Sequence, residues 1–227
     1  MQLRDWMAKN VFTVEEDTSL MHVTRLMTEN KIRRLPVVDD GKLVGIITDR
    51  DVKDASPART TTMDVHELYY LFSEVKVKDI MTSNPIVLSG DDSLEKAAVI
   101  MLETKISGIP VTDKDNNLIG LLSETDVLRG FIRTSGIKDG TMQYIFDLSD
   151  ETGAVSDVVR TLRDNNMRVI SVTTSFEDTP KGVKRVAMRV ISDGKGDYDA
   201  LSTYLHSNYN VVYSARDELK NLPKKQR

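Results

Sequence analysis

Residues 45–51 read GIITDRD and residues 120–126 read GLLSETD. Each string starts on glycine, passes two apolar residues, reaches a hydroxyl (Thr48, Ser123) and ends on an aspartate three residues later (Asp51, Asp126). The likeness extends outward from both. Residues 3–54 align with 77–129, pairing Met7 with Met81, Asp17 with Asp91, Leu20 with Leu94, Lys31 with Lys105, Pro36 with Pro110 and Gly45 with Gly120. Identities this ordered mark an internal repeat, and a repeat governs how everything between its copies is read.

Both copies carry the same pattern. A short extended piece (12–14; 86–88) leads into an acidic cap and a helix with apolar residues at Leu20, Val23 and Met27, or Leu94, Ala97, Ala98 and Met101. An apolar strand follows (35–38; 109–112), then the polar turn DDGK or DKDNN, a second strand (43–48; 118–123), and a second helix starting near Asp49 or Glu124. A β-α-β-β-α unit of about 50 residues is small for a self-sufficient core. The two copies are therefore expected to pack together. Between them, residues 57–76 are expected to form a linker helix with Val65, Leu68, Tyr69 and Phe72 on one packing stripe.

From about residue 140 the period changes. Met142, Tyr144, Phe146 and Leu148 alternate as in a half-buried strand, and residues 150–153 make a turn. Val155, Val158, Val159 and Leu162 then recur at helical spacing. Residues 169–174 and 184–191 read as a strand pair across EDTPKG, Leu201, Tyr204 and Leu205 as a helix, and 210–213 as a last strand. The order β-α-β-β-α-β is that of a split βαβ, or ferredoxin-like, unit. The expected fold class is thus α+β with mixed α/β character. The expected divisions are 1–56 and 77–135 for the repeats, 140–216 for the third domain and 217–227 for a basic, solvated tail.

Bulk composition narrows the chemistry. The 227 residues include no cysteine, which excludes disulfides, thiolate catalysis and Cys-ligated metal sites in this sequence. A net charge of −4 argues against a general nucleic-acid coat. The start, MQLRDWMAKN, lacks a basic segment followed by an apolar core, and no apolar run approaches the ~20 residues that cross a bilayer, so a cytoplasmic location is expected. His22, His66 and His206 are scattered, no Ser-His-Asp grouping with a nucleophile elbow occurs, and Gly194-Lys195-Gly196 lacks the context of a dinucleotide loop.

The strand-to-helix junctions remain. A hydroxyl and free backbone N–H groups at a helix N-terminus can hold a phosphate, and an aspartate one turn on can accept ribose hydroxyls. Thr48 with Asp51, and Ser123 with Asp126, are placed for this, and Lys31 and Lys105 can add a point charge. Arg33 and Arg34 add charge in the first copy, where the second has Ser107 and Gly108. A hydroxyl with an acid three residues later is also the signature of a capping box, which only stabilises a helix start. Its recurrence at equivalent repeat positions, each after an apolar strand, favours binding.

Each repeat resembles a CBS domain, and residues 1–135 resemble the tandem pair called a Bateman module. The resemblance rests on Asp5-Trp6-Met7 and Asp79-Ile80-Met81, on Leu35-Pro36-Val37 and Ile109-Pro110-Val111, and on the two junction strings. The linker is similar to that of the acetoin-utilization B type, and residues 141–214 resemble an ACT domain, which fits that subgroup's layout. The resemblance implies a non-catalytic sensor that binds an adenine nucleotide (AMP, ADP, ATP, cyclic di-AMP or S-adenosylmethionine), with Mg as an optional companion, in clefts between the repeats. On that pattern Asp51 and Asp126 hold ribose, and Thr48 and Ser123 touch phosphate. Lys31, Lys105, Arg33 and Arg34 neutralise charge. Arg50, Ser107, Thr13, Ile86, Ile109, Pro36 and Pro110 complete the lining, with backbone near 11–13 and 85–87 forming the adenine slot. Two sites of unequal affinity follow from KIRR against KISG.

ACT domains often bind amino acids beside a D-x-P-G loop. Here Asp150, Thr152 and Gly153 stand in DETG, with threonine in the proline position, so an effector loop and a purely dimerising domain both stay open. The expected partners are a second copy of the chain, through the CBS pair and the ACT domain, and an unidentified target protein. Membrane and nucleic acid are not expected. The competing readings are a ligand-free interaction module and a nucleotide-hydrolysing enzyme.

Overall fold

The computed structural model describes residues 1–55, 72–220 and 223. The stripe residues Val65, Leu68 and Tyr69 therefore lie outside the described residues, as does most of the basic tail. The chain divides into two compact units, residues 1–130 and 131–227.

In the first unit, the first repeat contributes α1 (Leu20–Asn30), β1 (Arg34–Asp39), β2 (Lys42–Thr48) and α2 (Asp49–Asp54). The second contributes α3 (Val77–Ile80), β3 (Thr82–Ser83), β4 (Leu88–Ser89), α4 (Leu94–Thr104), β5 (Gly108–Thr112), β6 (Leu118–Ser123) and α5 (Glu124–Ser135). Helices α1 and α4 start under Ser19 and Ser93, whose hydroxyls accept the N–H of His22 and Lys96. Their apolar stripes turn Leu20, Val23 and Met27, and Leu94, Ala97 and Met101, into two separate cores. The leading extended pieces are shorter than expected. Val14 alone bridges to Val37, while Phe12 and Thr13 stay exposed, and the second counterpart begins only at Leu88. A strand forms where its residues are buried, and in each piece only the last apolar residue is.

The two cores do not follow the repeat boundaries. Leu3, Met1, Trp6 and Met7 pack with α4, β5 and β6 of the second repeat. Val77, Phe72, Val75, Ile80 and Met81 pack with the first. The backbone follows the same exchange. Thr82 and Ser83 pair with Ile46 and Gly45, so β3 extends the sheet to β1-β2-β3, and Ala8 pairs with Leu121. Glycine makes both exchanges possible. A Cβ on Gly45 would collide with the Met81 sulfur, and one on Gly120 with the Met7 sulfur and, at 3.0 Å, the Ala8 carbonyl oxygen.

The second unit contains β7 (Met142–Ser149), α6 (Ala154–Asp164), β8 (Met167–Ser175), β9 (Val183–Ser192), α7 (Tyr198–Asn208) and β10 (Val211–Arg216). Its sheet runs β10-β7-β9-β8 with every neighbouring pair antiparallel. The β-α-β-β-α-β order is the one read from the sequence. Tyr144, Phe146 and Leu148 face Val158 and Leu162 of α6 and Leu201 and Leu205 of α7 across one core. Tyr204 departs from its expected place: it is exposed, because the inward face of α7 follows the i, i+4 pair Leu201 and Leu205. Between β8 and β9, Asp178 and Gly182 take left-handed backbone (φ 55° and 81°) to reverse the chain.

The close approach at the glycines yields the first prediction. Gly120→Val and Gly45→Val are each expected to destabilise the first unit by about 1–3 kcal/mol, the usual cost of overpacking. Urea unfolding with residue-resolved hydrogen exchange checks this.

Candidate functional site

The junction residues stand where each β-hairpin delivers its chain into a helix. Thr48 caps α2: its backbone N–H and its hydroxyl donate to Asp51 Oδ2, both at 2.7 Å, and the Asp51 N–H donates back to Thr48 Oγ1 at 3.4 Å. Ser123 and Asp126 repeat the arrangement at α5, at 3.0, 2.5 and 3.3 Å. Both pairs are therefore full capping boxes. This limits what each aspartate can offer a ligand, because Oδ2 is committed to the helix start and only Oδ1 remains. Asp126 Oδ1 accepts from Arg129 Nη1 at 2.9 Å, an exposed arginine that a ligand hydroxyl could displace. Asp51 Oδ1 has no partner among the described residues.

A cleft of about 520 Å³ opens over the second junction. Ser123, Glu124, Thr125 and Asp126 form one wall, and Lys31, Ile32, Arg33 and Arg34 form another. Asn10, Val11, Phe12 and Ser107 close it. The basic run of the first repeat thus faces the hydroxyl–aspartate pair of the second. The structure brings Lys31, Arg33, Arg34, Ser107, Ser123 and Asp126 together here. Thr48, Arg50 and Asp51 stand at the other junction, and Lys105 at the end of α4. Thr13 lines a separate hollow of about 200 Å³ with Lys9, Val38 and Gly41. Ile86 is exposed, while Pro36, Pro110 and Ile109 are buried in β1 and β5, which leaves them only backbone to present. Glu124 and Thr125 were not singled out from the sequence. Their signal was available, since both fall in the first turn of the helix that Ser123 caps.

Two features tune the cations. Lys31 and Lys105 each end a helix in left-handed conformation (φ 54° and 56°). Glycine is the usual choice there, and an L side chain costs about 1 kcal/mol or more. The same choice falls at both equivalent positions of the repeat. Arg34 reaches across the repeats to Ser107, donating Nη2 to its hydroxyl at 2.6 Å and Nη1 to its carbonyl. Burial lowers its pKa from the ordinary value, and the carboxylates of Glu124, Asp49 and Asp126 oppose that shift. A Cβ on Gly108 would fall on this guanidinium, so the residue facing Arg34 must be glycine while Arg34 holds this position.

In the second unit, Asp150, Thr152 and Gly153 are exposed at the loop entering α6. Gly153 takes φ 101°, which other residues rarely adopt, and Asp150 pairs with Lys184 at 3.6 Å. Among the described residues no three His, Cys, Asp or Glu side chains converge as a metal site, and no helix is long and apolar enough to cross a membrane.

The family model "CBS domain" matches this chain twice, at residues 3–58 and 77–133. A CBS domain-containing protein of Dictyostelium discoideum is 36% identical over 127 residues, covering 56% of this chain and 88% of its own length. Protein MJ1225 of Methanocaldococcus jannaschii is 31% identical over 175 residues, covering 73% of this chain and 62% of its own. Its crystal structure superposes with a TM-score of 0.50 at 31% identity, covering 57% of this chain and 47% of that chain. Chloroplastic CBSX2 of Arabidopsis thaliana is 33% identical over 143 residues, covering 55% of this chain and 60% of its own. A crystal structure of CBSX2 in complex with AMP gives a TM-score of 0.49 at 35% identity, covering 58% of this chain and 96% of that chain. The chain thus spans less than two thirds of the length of MJ1225 and of CBSX2.

The capping role of the junction pairs sets the second prediction. Ser123→Ala and Thr48→Val are each expected to lower stability by ~1 kcal/mol with no ligand present, as the loss of a helix cap does. Denaturant titration of the ligand-free variants measures this, and a variant as stable as the parent would mean that the hydroxyl does not cap its helix.

Proposed function

The chain belongs to the CBS-domain family, and on that premise we propose that it is a non-catalytic regulator that binds an adenine nucleotide in the cleft over Ser123 and Asp126. The observation that carries this reading is the meeting of three cationic side chains, Lys31, Arg33 and Arg34, with a helix start and a half-buried aspartate in one cleft. In this reading Asp126 Oδ1 takes a ribose hydroxyl in place of Arg129. The first N–H groups of α5 and the Ser123 and Thr125 hydroxyls meet the α-phosphate. Lys31 and Arg33 meet any further phosphates. Val11 and Phe12 give the base an apolar slot, and Phe12, 49% exposed, has a face free to stack. Glu124, in the same wall, disfavours a long polyphosphate on its side.

The other junction, with Thr48, Asp51, Arg50, Lys105 and Ile86, is proposed as a second and weaker site. Its helix α2 has six residues against twelve for α5, so fewer aligned peptide dipoles stand behind an anion there. It also draws on KISG in place of KIRR. The family's acetoin-utilization B subgroup is part of the same reading, supported by a ferredoxin-like unit following the CBS pair. So is the assignment of that unit as an ACT domain. A second copy of the chain is the proposed partner: Val99 and Leu102 on α4, and Leu128 and Ile132 on α5, are exposed apolar residues at helical spacing.

Calorimetry with AMP, ADP, ATP, cyclic di-AMP and S-adenosylmethionine tests the site. At least one adenine nucleotide is expected to saturate. Its affinity is expected to fall about tenfold or more in Asp126→Ala, the loss of a charge-assisted hydrogen bond, and less in Asp51→Ala. Arg33→Ala is expected to weaken ATP more than AMP. Unchanged affinity in both aspartate variants would displace the site. Failure of the whole panel would favour a ligand-free interaction module, and phosphate release from ATP would favour a hydrolase.

A further inference from the structure

We propose that the second unit carries a separate binding site for a small monocarboxylate, built around Arg189 on the sheet face opposite α6 and α7. Along β9, Val186, Met188 and Val190 point into the helix-covered core, so Ala187 and Arg189 point the other way. That face is partly roofed by residues 131–135, the last turn of α5, which belong to the second unit; the Ser171 hydroxyl donates to the Ser135 carbonyl at 2.8 Å. Between roof and sheet lies a cavity of about 330 Å³. This is near the lower end of the ~300–1,000 Å³ usual for small-molecule sites. Gln143, Ser171 and Thr173 supply polar groups, Phe131 and Ala187 apolar wall, and Arg189 the single charge of the lining.

Arg189 is only 8% exposed, and a buried guanidinium needs strong acceptors. The described contacts give it little. Nη2 donates to one oxygen of Asp217 at 2.7 Å, and the neutral oxygens of Gln143 and Thr141 lie at 3.3 and 3.4 Å, at the long end of hydrogen bonding. Nε makes no hydrogen bond among the described residues. A guanidinium is built to grip a carboxylate with two parallel bonds, and this one has a single-oxygen grip from a residue beyond the end of β10. Asp217 is 36% exposed in its side chain and can swing out. It acts as an internal counter-ion that an incoming carboxylate replaces. The volume and the Phe131–Ala187 wall fit a short aliphatic tail behind that carboxylate, and no acidic residue lines the cavity to repel it.

The test uses the full chain, with butyrate as probe and butyramide and inorganic phosphate as comparators. Binding is followed by calorimetry and by amide shifts of Gln143, Ser171, Thr173 and Ala187. Butyrate is expected to saturate and move those amides, while butyramide does not. Asp217→Asn removes the competitor and is expected to tighten butyrate about tenfold, one charge-assisted hydrogen bond's worth of competition. Ala187→Leu fills the cavity floor while leaving the Arg189–Asp217 pair in place, and is expected to weaken butyrate by a similar factor. The site is overturned if butyrate fails to bind the parent protein, if Asp217→Asn leaves its affinity unchanged, or if butyramide moves the same amides equally. Phosphate binding more tightly than butyrate would overturn the carboxylate assignment. None of these readouts depends on nucleotide binding in the first unit.

Discussion

The packing of a methionine against a glycine, made twice, is the contact on which the first unit depends. Met7 lies where a Gly120 side chain would be, and Met81 lies where a Gly45 side chain would be. Each contact lets the leading segment of one repeat reach the sheet of the other, where Ala8 pairs with Leu121 and β3 with β2. The energetic reason is size. A unit of about 50 residues buries too little apolar surface to offset its chain entropy, so borrowing Leu3 and Trp6, or Val77 and Ile80, enlarges each core. An exchanged segment also couples the repeats, since neither core is complete without the other's chain.

The exchange decides where the side chains of the candidate site meet. Because Met7 and Ala8 run beside β6, the chain just after them, Asn10 to Phe12, is delivered to the mouth of the second junction. Because β1 starts on Arg34, its basic approach, Lys31 to Arg34, faces the same mouth. The cleft therefore draws its cations and apolar wall from one repeat and its hydroxyl–aspartate pair from the other. A ligand held there would touch both repeats at once, which is the geometry through which binding can favour one arrangement of them over another.

The sequence carried the repeat, the order of elements in both units and the identity of the junction pairs, because each rests on local pattern: period, cap residues and turn residues. Tyr204 shows where local pattern fails, since i+3 and i+4 positions are both compatible with an inward face until the sheet fixes the rotation of the helix. The pairing of Lys31, Arg33 and Arg34 with Ser123 and Asp126 was not legible, because nothing in a single repeat says which copy's cations stand over which copy's helix. Nor was the commitment of each aspartate's Oδ2 to its cap, which turns a bidentate acceptor into a single free oxygen. The cap reading and the binding reading looked like alternatives in sequence. In three dimensions the same carboxylate has an oxygen for each.

The remaining question is why two copies so alike should differ where Arg34 faces Gly108. The difference is a steric pair. With its guanidinium held by Ser107, Arg34 occupies the space that any side chain at position 108 would need. Had the second repeat kept an arginine there, two guanidinium groups would compete for one half-buried space, with mutual repulsion added to the desolvation that already lowers the Arg34 pKa. One guanidinium fills the space between Ser107 and Gly108, and the carboxylates of Glu124, Asp49 and Asp126 act on it from both junctions. The difference between the repeats at this position thus matches the one space that the Arg34 guanidinium and a side chain at 108 would share.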